Sequence, residues 1–260
     1  MQLVFDYPRE VMELGAEKGR GYRKIVRSNT DLERYWEGKN GVSNAYMTVY
    51  GYRATVPPFN KRVDLITPIV RHFVMDFDPK DFRQRNSPDV NPEKALLQTQ
   101  RLHHYLLSED ISHCVWYSGG GFHVWVALDK PYMPSSGGHL SDVKEAGMRV
   151  VNEWIHDMNL FCSDPAVPFD TSGMIRIPNS YNSKRGLWSI PLSSKDLEEG
   201  LDHIMLKALD AHSGMIPYGS KGLALDVKRT KTKRAVFDPN AAPIDLPTAS
   251  MDGVIILPCL

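Results

Sequence analysis

The chain has 260 residues, 42% of them hydrophobic and 24% charged, enough to bury a sizeable core as one large domain or two lobes. Its 31 Lys and Arg balance 31 Asp and Glu, which excludes a strong global field; contact with a polyanion would need a local basic surface. No apolar run approaches the ~20 residues of a membrane span and no basic-then-apolar leader opens the sequence, so a soluble, unexported protein is expected.

In chain order, residues 1–65 read as an N-terminal lobe. It opens helical, carries the cap-like Ser28-Asn-Thr-Asp31 before Leu32-Glu-Arg-Tyr-Trp36, continues as a strand-like Ala45-Tyr-Met-Thr-Val-Tyr50, and breaks at Pro57-Pro58. Residues 66–215 alternate strands with helices. A strand is predicted over Phe73–Phe77 and a helix over Pro92–Leu107. Cys114–Tyr117 and Phe122–Leu128 form a hairpin around glycines, and a second helix covers Leu140–Met158. Short strands at Met174–Ile177 and Leu187–Leu192 precede a helix over Lys195–Asp210. This order is a mixed α/β layout with antiparallel elements. Residues 216–260 replace periodicity with basic and Pro-containing stretches, which predicts an extended arm.

Chemistry concentrates in three segments. In His72-Phe-Val-Met-Asp-Phe-Asp78, strand alternation puts Val74, Asp76 and Asp78 on one side and Phe73, Met75 and Phe77 on the other. Two carboxylates so close repel unless a cation lies between them, and hard divalent ions with oxygen ligands meet that need. The alternative is a solvated strand-end turn before Pro79, and Asp-x-Asp alone does not decide.

The second segment is Tyr117-Ser-Gly-Gly-Gly-Phe-His-Val-Trp-Val126. Gly119, Gly120 and Gly121 cost backbone entropy, which is justified where the backbone takes positive φ or approaches another group closely, and their N–H groups with Ser118 can hold a phosphate. His123 faces away from Phe122, Val124 and Val126, ready either for a phosphate oxygen or for a backbone carbonyl beside Trp125. The third segment runs from Asp164-Pro-Ala-Val167 through Asp170 and Arg176-Ile-Pro178 to Asn182 and Lys184-Arg-Gly186. Arg176 points opposite to Ile175 and Ile177, and with Lys184 and Arg185 it suits nucleotide phosphates or a nucleic-acid backbone; a surface Arg and a basic loop are the bland alternative.

These three elements, in this order and spacing, resemble the archaeo-eukaryotic primase superfamily across residues 70–192, with weaker likeness through Tyr46–Tyr52. That family has a hydrophobic strand ending in Asp-x-Asp, a Ser-Gly hairpin ending in His, and a later carboxylate before a basic strand and a Lys-x-Gly loop. The resemblance implies an α/β (α+β) primase core, with mixed sheets, an RRM-like half and flanking helices. It implies a template-dependent nucleotidyl transferase that makes or extends primers on single-stranded DNA, using nucleoside triphosphates and two Mg²⁺ or Mn²⁺ ions. Asp76, Asp78 and Asp164 would be the catalytic metal ligands, with Asp170 the alternative third. Ser118, Gly119, Gly120, Gly121, His123, Arg176, Asn182 and Lys184 would hold the nucleotide. A helicase or primase accessory subunit is a partner class it allows, and the cytoplasmic nucleoid or a replication site is the expected location.

Three departures set the chain apart from cellular primases. The Ser118-to-His123 loop is one residue shorter and lacks basic residues, Asn182 replaces a common His, and no cysteine cluster supplies a zinc module. Cys114, Cys162 and Cys259 are too few and scattered for zinc or a disulfide framework, which fits a reducing compartment. The pattern resembles plasmid, viral and mobile-element primase-polymerases. Arg185 and the Lys228, Arg229, Lys231, Lys233 and Arg234 run could track a nucleic-acid backbone, as a solvated basic tail could equally account for the latter. Arg20, Arg23, Lys24 and Arg27 around Tyr22 are either a template groove or a charged helix face. His103, His104 and His113 lack metal-ligand spacing and are read as structural. Competing functions are an end-joining or gap-filling polymerase on the same core, a catalytically silent nucleotide- or nucleic-acid-binding subunit, and an Asp-x-Asp glycosyl transferase, which Arg176 and Lys184 do not explain.

Overall fold

The computed structural model describes residues 5–14, 23–38, 41, 43–59, 61–84 and 91–228. Residues 1–230 form one compact unit; residues 231–260, a second unit, lie outside the described residues.

Two antiparallel sheets make the frame. Strands β1 (Arg9–Leu14), β2 (Arg23–Val26), β3 (Asn44–Thr48) and β8 (Met174–Arg176) form a four-stranded sheet in the order β2-β1-β3-β8. Strands β4 (Gly51–Tyr52), β5 (Pro68–Phe77), β6 (His113–Tyr117), β7 (Phe122–Tyr132) and β11 (Ile190–Leu192) form the other, ordered β11-β6-β7-β5-β4. A ribbon of β9 (Tyr181–Asn182) and β10 (Leu187–Trp188) carries the basic loop between them. The fold is thus mixed α/β with antiparallel sheets.

The described opening, residues 5–14, is not helical. Glu10, Met12 and Glu13 favour helix locally, but β1 is captured between β2 and β3, with Met12 opposite both Arg23 and Tyr46. The pairing buries charge and satisfies it. Glu10 has a 0% exposed side chain that accepts from Arg62 at 2.7 Å, Arg23 at 3.0 Å and the Val63 amide at 3.1 Å. Arg9 donates to the Thr48 carbonyl at 2.8 Å. Burial pushes its pKa down to about 10.

Helix α1 (Asn29–Glu37) starts at the expected Ser28, whose hydroxyl accepts from the Asp31 amide. Helix α2 (Pro92–Ser108) starts at Asn91, with Pro92 in the first turn, and buries Ala95, Leu96, Thr99, Leu102, His103 and Leu106, a 3–4 residue spacing that covers the sheet. Helix α3 (Gly137–Asp157) brings Trp154 against Phe73, ring centroids 6.0 Å apart. The single helix expected over Lys195–Asp210 is two, α4 (Ser194–Glu199) and α5 (Leu201–Lys207), because Gly200 has φ +93°.

His103 and His113 form a hydrogen-bonded relay between α2 and β6. His113 Nδ1 lies 2.8 Å from the Ile111 carbonyl and must donate to it, so its Nε2 accepts from His103 Nδ1 at 2.8 Å. His103 Nε2 then accepts from the Ser194 hydroxyl at 2.9 Å. After α5 the chain runs extended along the sheet edge: Tyr218 bridges His113, Lys221 bridges Ile111 and Leu223 bridges Leu128.

Candidate functional site

Strand register assembles the site. In the β5–β7 pair Asp76 stands directly opposite His123, and in the β3–β8 pair Tyr46 stands opposite Arg176. Cross-strand partners share a face, so each pair projects together. A cleft of about 270 Å³ opens between the sheets, and Asp76, Asp78, Ser118, Gly120, His123, Arg176, Asn182, Lys184 and Arg185 all line it. Residues as far apart in sequence as Asp76 and Arg185 thus meet around one volume.

Asp164 joins from behind. The chain at Cys162–Asp164 pairs with the end of β5: the Asp78 amide donates to the Cys162 carbonyl at 3.0 Å and the Asp164 amide to the Asp76 carbonyl at 2.8 Å. Burial first, then Asp78 and then Asp164, push the Asp76 carboxyl up to about 8, while Lys80 pulls the other way. Its side chain keeps 23% exposure, so solvent screens part of that effect. Asp170 is elsewhere engaged, accepting from the Ser172 amide at 2.8 Å and hydroxyl at 2.9 Å. Of the two candidates for third carboxylate, Asp164 is the one electrostatically coupled to Asp76.

Among the described residues no three His, Cys, Asp or Glu side chains converge on one metal-sized point. The donor chemistry is nonetheless that of a hard divalent ion: Asp78 and Asp164 both act on Asp76, and each of the three carboxylates has a partner in place. Asp78 lies 3.3 Å from the Lys80 ammonium, Asp164 accepts from the Ala166 amide at 2.9 Å, and Asp76 sits 3.5 Å from His123 Nε2. His123 itself is neutral: burial, then the Arg176 charge, hold it down to about 3.

Arg176 is buried and held in a fixed pose. Its guanidinium donates to Asn44 Oδ1 at 3.0 Å, the Tyr46 hydroxyl at 3.1 Å and the Tyr181 carbonyl at 3.3 Å, with its carbon 5.1 Å from the Tyr46 ring centroid. Asn44 and Tyr46 line the cleft too and were not singled out from sequence as site residues. The available signal was their i, i+2 spacing in a strand, which is weak without knowing that β3 pairs with β8.

The glycines divide by task. Gly119 has φ +82° and a side chain there would meet Asn182 at 2.8 Å; at Gly121 it would meet the Phe77 carbonyl at 2.4 Å. Neither lines the cleft, whereas Gly120 does. Asn182 donates to the Ser118 carbonyl at 3.2 Å, while its Oδ1 is buried with no partner. An unpaired buried acceptor is costly, so this one stands ready for a ligand hydroxyl or amine. Arg23 is committed to Glu10, and Lys228 pairs with Asp226 at 3.5 Å. Arg20, Tyr22, Arg229, Lys231, Lys233, Arg234 and Cys259 lie outside the described residues. No described helix is long and apolar enough to cross a membrane.

No family model matches the chain. A 55-residue stretch is 38% identical to the DNA primase small subunit PriS of Pyrobaculum arsenaticum, covering 21% of this chain and 18% of that protein. The chain therefore matches about a fifth of that relative's length. Among solved structures it aligns with the polymerase domain of Mycobacterium tuberculosis Ligase D in complex with DNA, at a TM-score of 0.45 and 16% identity, over 79% of this chain and 73% of the other. The likeness to a primase small subunit thus rests on a 55-residue stretch.

Proposed function

We propose that the chain is a template-dependent nucleotidyl transferase that makes or extends primers on single-stranded DNA. The observation that carries this reading is the single cleft in which Asp76 and Asp78 face His123, Arg176, Asn182 and Lys184, with Asp164 coupled to Asp76. Carboxylates that would hold divalent ions, and cations lining the same cleft, together match the charge of a nucleoside triphosphate.

Asp76, Asp78 and Asp164 would hold Mg²⁺ or Mn²⁺, which when bound lowers the pKa of a 3′-hydroxyl and neutralises charge on departing pyrophosphate. The protein's own contribution is placement. Arg176, locked by Asn44 and Tyr46, presents a pre-oriented guanidinium to a phosphate, with Lys184 and Arg185 beside it. Neutral His123 offers one N–H beside Asp76, and the Gly120 backbone lets a phosphate approach closely. The orphaned Asn182 oxygen accepts from the sugar or base.

The test is incubation with single-stranded template, labelled ribo- or deoxynucleotides and Mg²⁺ or Mn²⁺, with and without a primer. Products without primer identify a primase, and products only with primer identify an extender. No product under any of these conditions, from a folded chain that binds nucleotide, contradicts the proposal and leaves a binding subunit.

A further inference from the structure

A second cavity of about 300 Å³ adjoins the catalytic cleft, and Pro79 lines both. Three elements build it: the segment after β5, residues 159–162, and the stripe of α2 that carries Lys94 and Arg101. Seven residues apart, Lys94 and Arg101 stand two turns from each other on one helix face. The frame is tied by backbone. The Phe82 amide donates to the Phe161 carbonyl at 2.9 Å, the Asn91 amide to the Pro79 carbonyl at 3.1 Å, and the Cys162 amide to Gln98 Oε1 at 2.7 Å.

Among the described residues Lys80, Arg83, Lys94 and Arg101 line this cavity against one carboxylate, Asp81, in a chain whose net charge is zero. Arg83 is spent on Asp81 and lies over the Phe161 ring at 3.6 Å; Lys80 leans on Asp78. Lys94 and Arg101 make no ion pair among the described residues, Arg101 donating only to the Met158 carbonyl at 3.4 Å. Lys94, whose charge also reaches Asp81 without an ion pair, and Arg101 together on a concave wall suit a phosphate group. The cleft beyond Pro79 has its own cations for a triphosphate in Arg176, Lys184 and Arg185. We infer that the Lys94–Arg101 cavity binds a backbone phosphate of the nucleic-acid strand whose reacting end occupies the cleft. This rests on the transferase reading for the strand's presence, though the cavity's charge does not.

The test is the Lys94→Ala, Arg101→Ala double variant, with Lys94→Arg, Arg101→Lys as its conservative control. Fluorescence anisotropy of a labelled single-stranded oligonucleotide, across about 50 to 200 mM salt, reads affinity and its salt slope. The alanine variant is expected to bind about 10-fold more weakly. Its log–log slope should fall by about 1.4, two contacts at roughly 0.7 each, while the conservative variant keeps the wild-type slope. Thermal midpoint and nucleotide KM should stay at wild-type values. Unchanged affinity and slope overturn the inference, as does a wild-type chain that binds no oligonucleotide. A raised nucleotide KM with unchanged oligonucleotide affinity also overturns it, by assigning the cavity to the triphosphate. A wild-type chain that binds with the pocket-dependent slope but incorporates no nucleotide supports the cavity and refutes the transferase.

Discussion

Asp76 meets two conflicting demands: it is drawn into a half-buried strand position, and it is placed beside two other carboxylates. Its folded carboxyl is raised, so its contribution to stability is complete below the ordinary carboxylate range near ~4 and is lost as pH climbs through about 8. The metal-free chain should therefore melt lower at pH 9 than at pH 6. Asp76→Asn should melt higher than wild type above pH 8, measured in chelator; a lower melt would show that Asp76 is not repelled by its neighbours. Arg176→Ala should raise nucleotide KM by about 10-fold, a loss of about 1.4 kcal/mol, and weaken template binding less. The reverse order in steady-state kinetics and oligonucleotide titration would move Arg176 to the template. Alternation along a strand made the Asp76 and His123 orientations legible in the sequence. Asn44 and Tyr46 were not, because about 130 residues separate them from Arg176 and only β3–β8 pairing reveals the contact.

Elements were legible where local signals and packing agreed. Ser28, Asn91 and Pro92 mark real helix starts, and the glycine hairpin is where it was expected. The N-terminal helix failed because its helix-forming residues gained more from filling a sheet position, with Glu10 supplied with two arginines. At Gly200 one glycine with positive φ outweighed continuous helical periodicity. The hairpin glycines are separable by mutation. Gly121→Ala puts a methyl 2.4 Å from the Phe77 carbonyl and should cost about 1–3 kcal/mol, several degrees of thermal midpoint. Gly120→Ala, with its nearest atom 3.8 Å away, should melt like wild type; equal melting of the two would mean the turn yields freely.

Helix α4 gives a second pH test. Burial alone would raise the Asp196 carboxyl, but Lys207, the Ser193 hydroxyl and amide, and His203 outweigh it and hold it below the usual carboxylate range. That contribution is present above pH ~4 and is lost as pH falls through the depressed value. Asp196→Asn should cost about 1–2 kcal/mol at neutral pH and flatten the acid side of the stability curve, read by denaturant titration at several pH values. An unchanged acid midpoint would contradict the assignment.

Across the molecule, β5 of one sheet carries Asp76 and leads into Asp78, β8 of the other carries Arg176, and the β9–β10 loop adds Lys184 and Arg185 to the cleft between them. The mixed α/β class followed from element order, and the three motifs could be read without the fold. Their convergence could not, since it depends on β8 crossing back to pair with β3 from the far end of the chain. Spacing favoured Asp164 over Asp170 as the third carboxylate, and of the two it is Asp164 that is electrostatically coupled to Asp76 while Asp170 accepts from Ser172. The most direct measurement is incorporation of labelled nucleotide on single-stranded DNA with Mg²⁺ or Mn²⁺, comparing wild type with the Asp76→Ala, Asp78→Ala double variant at matched folding. Metal-dependent incorporation by wild type and none by the variant is the predicted result; full incorporation by the variant would contradict a carboxylate-centred site.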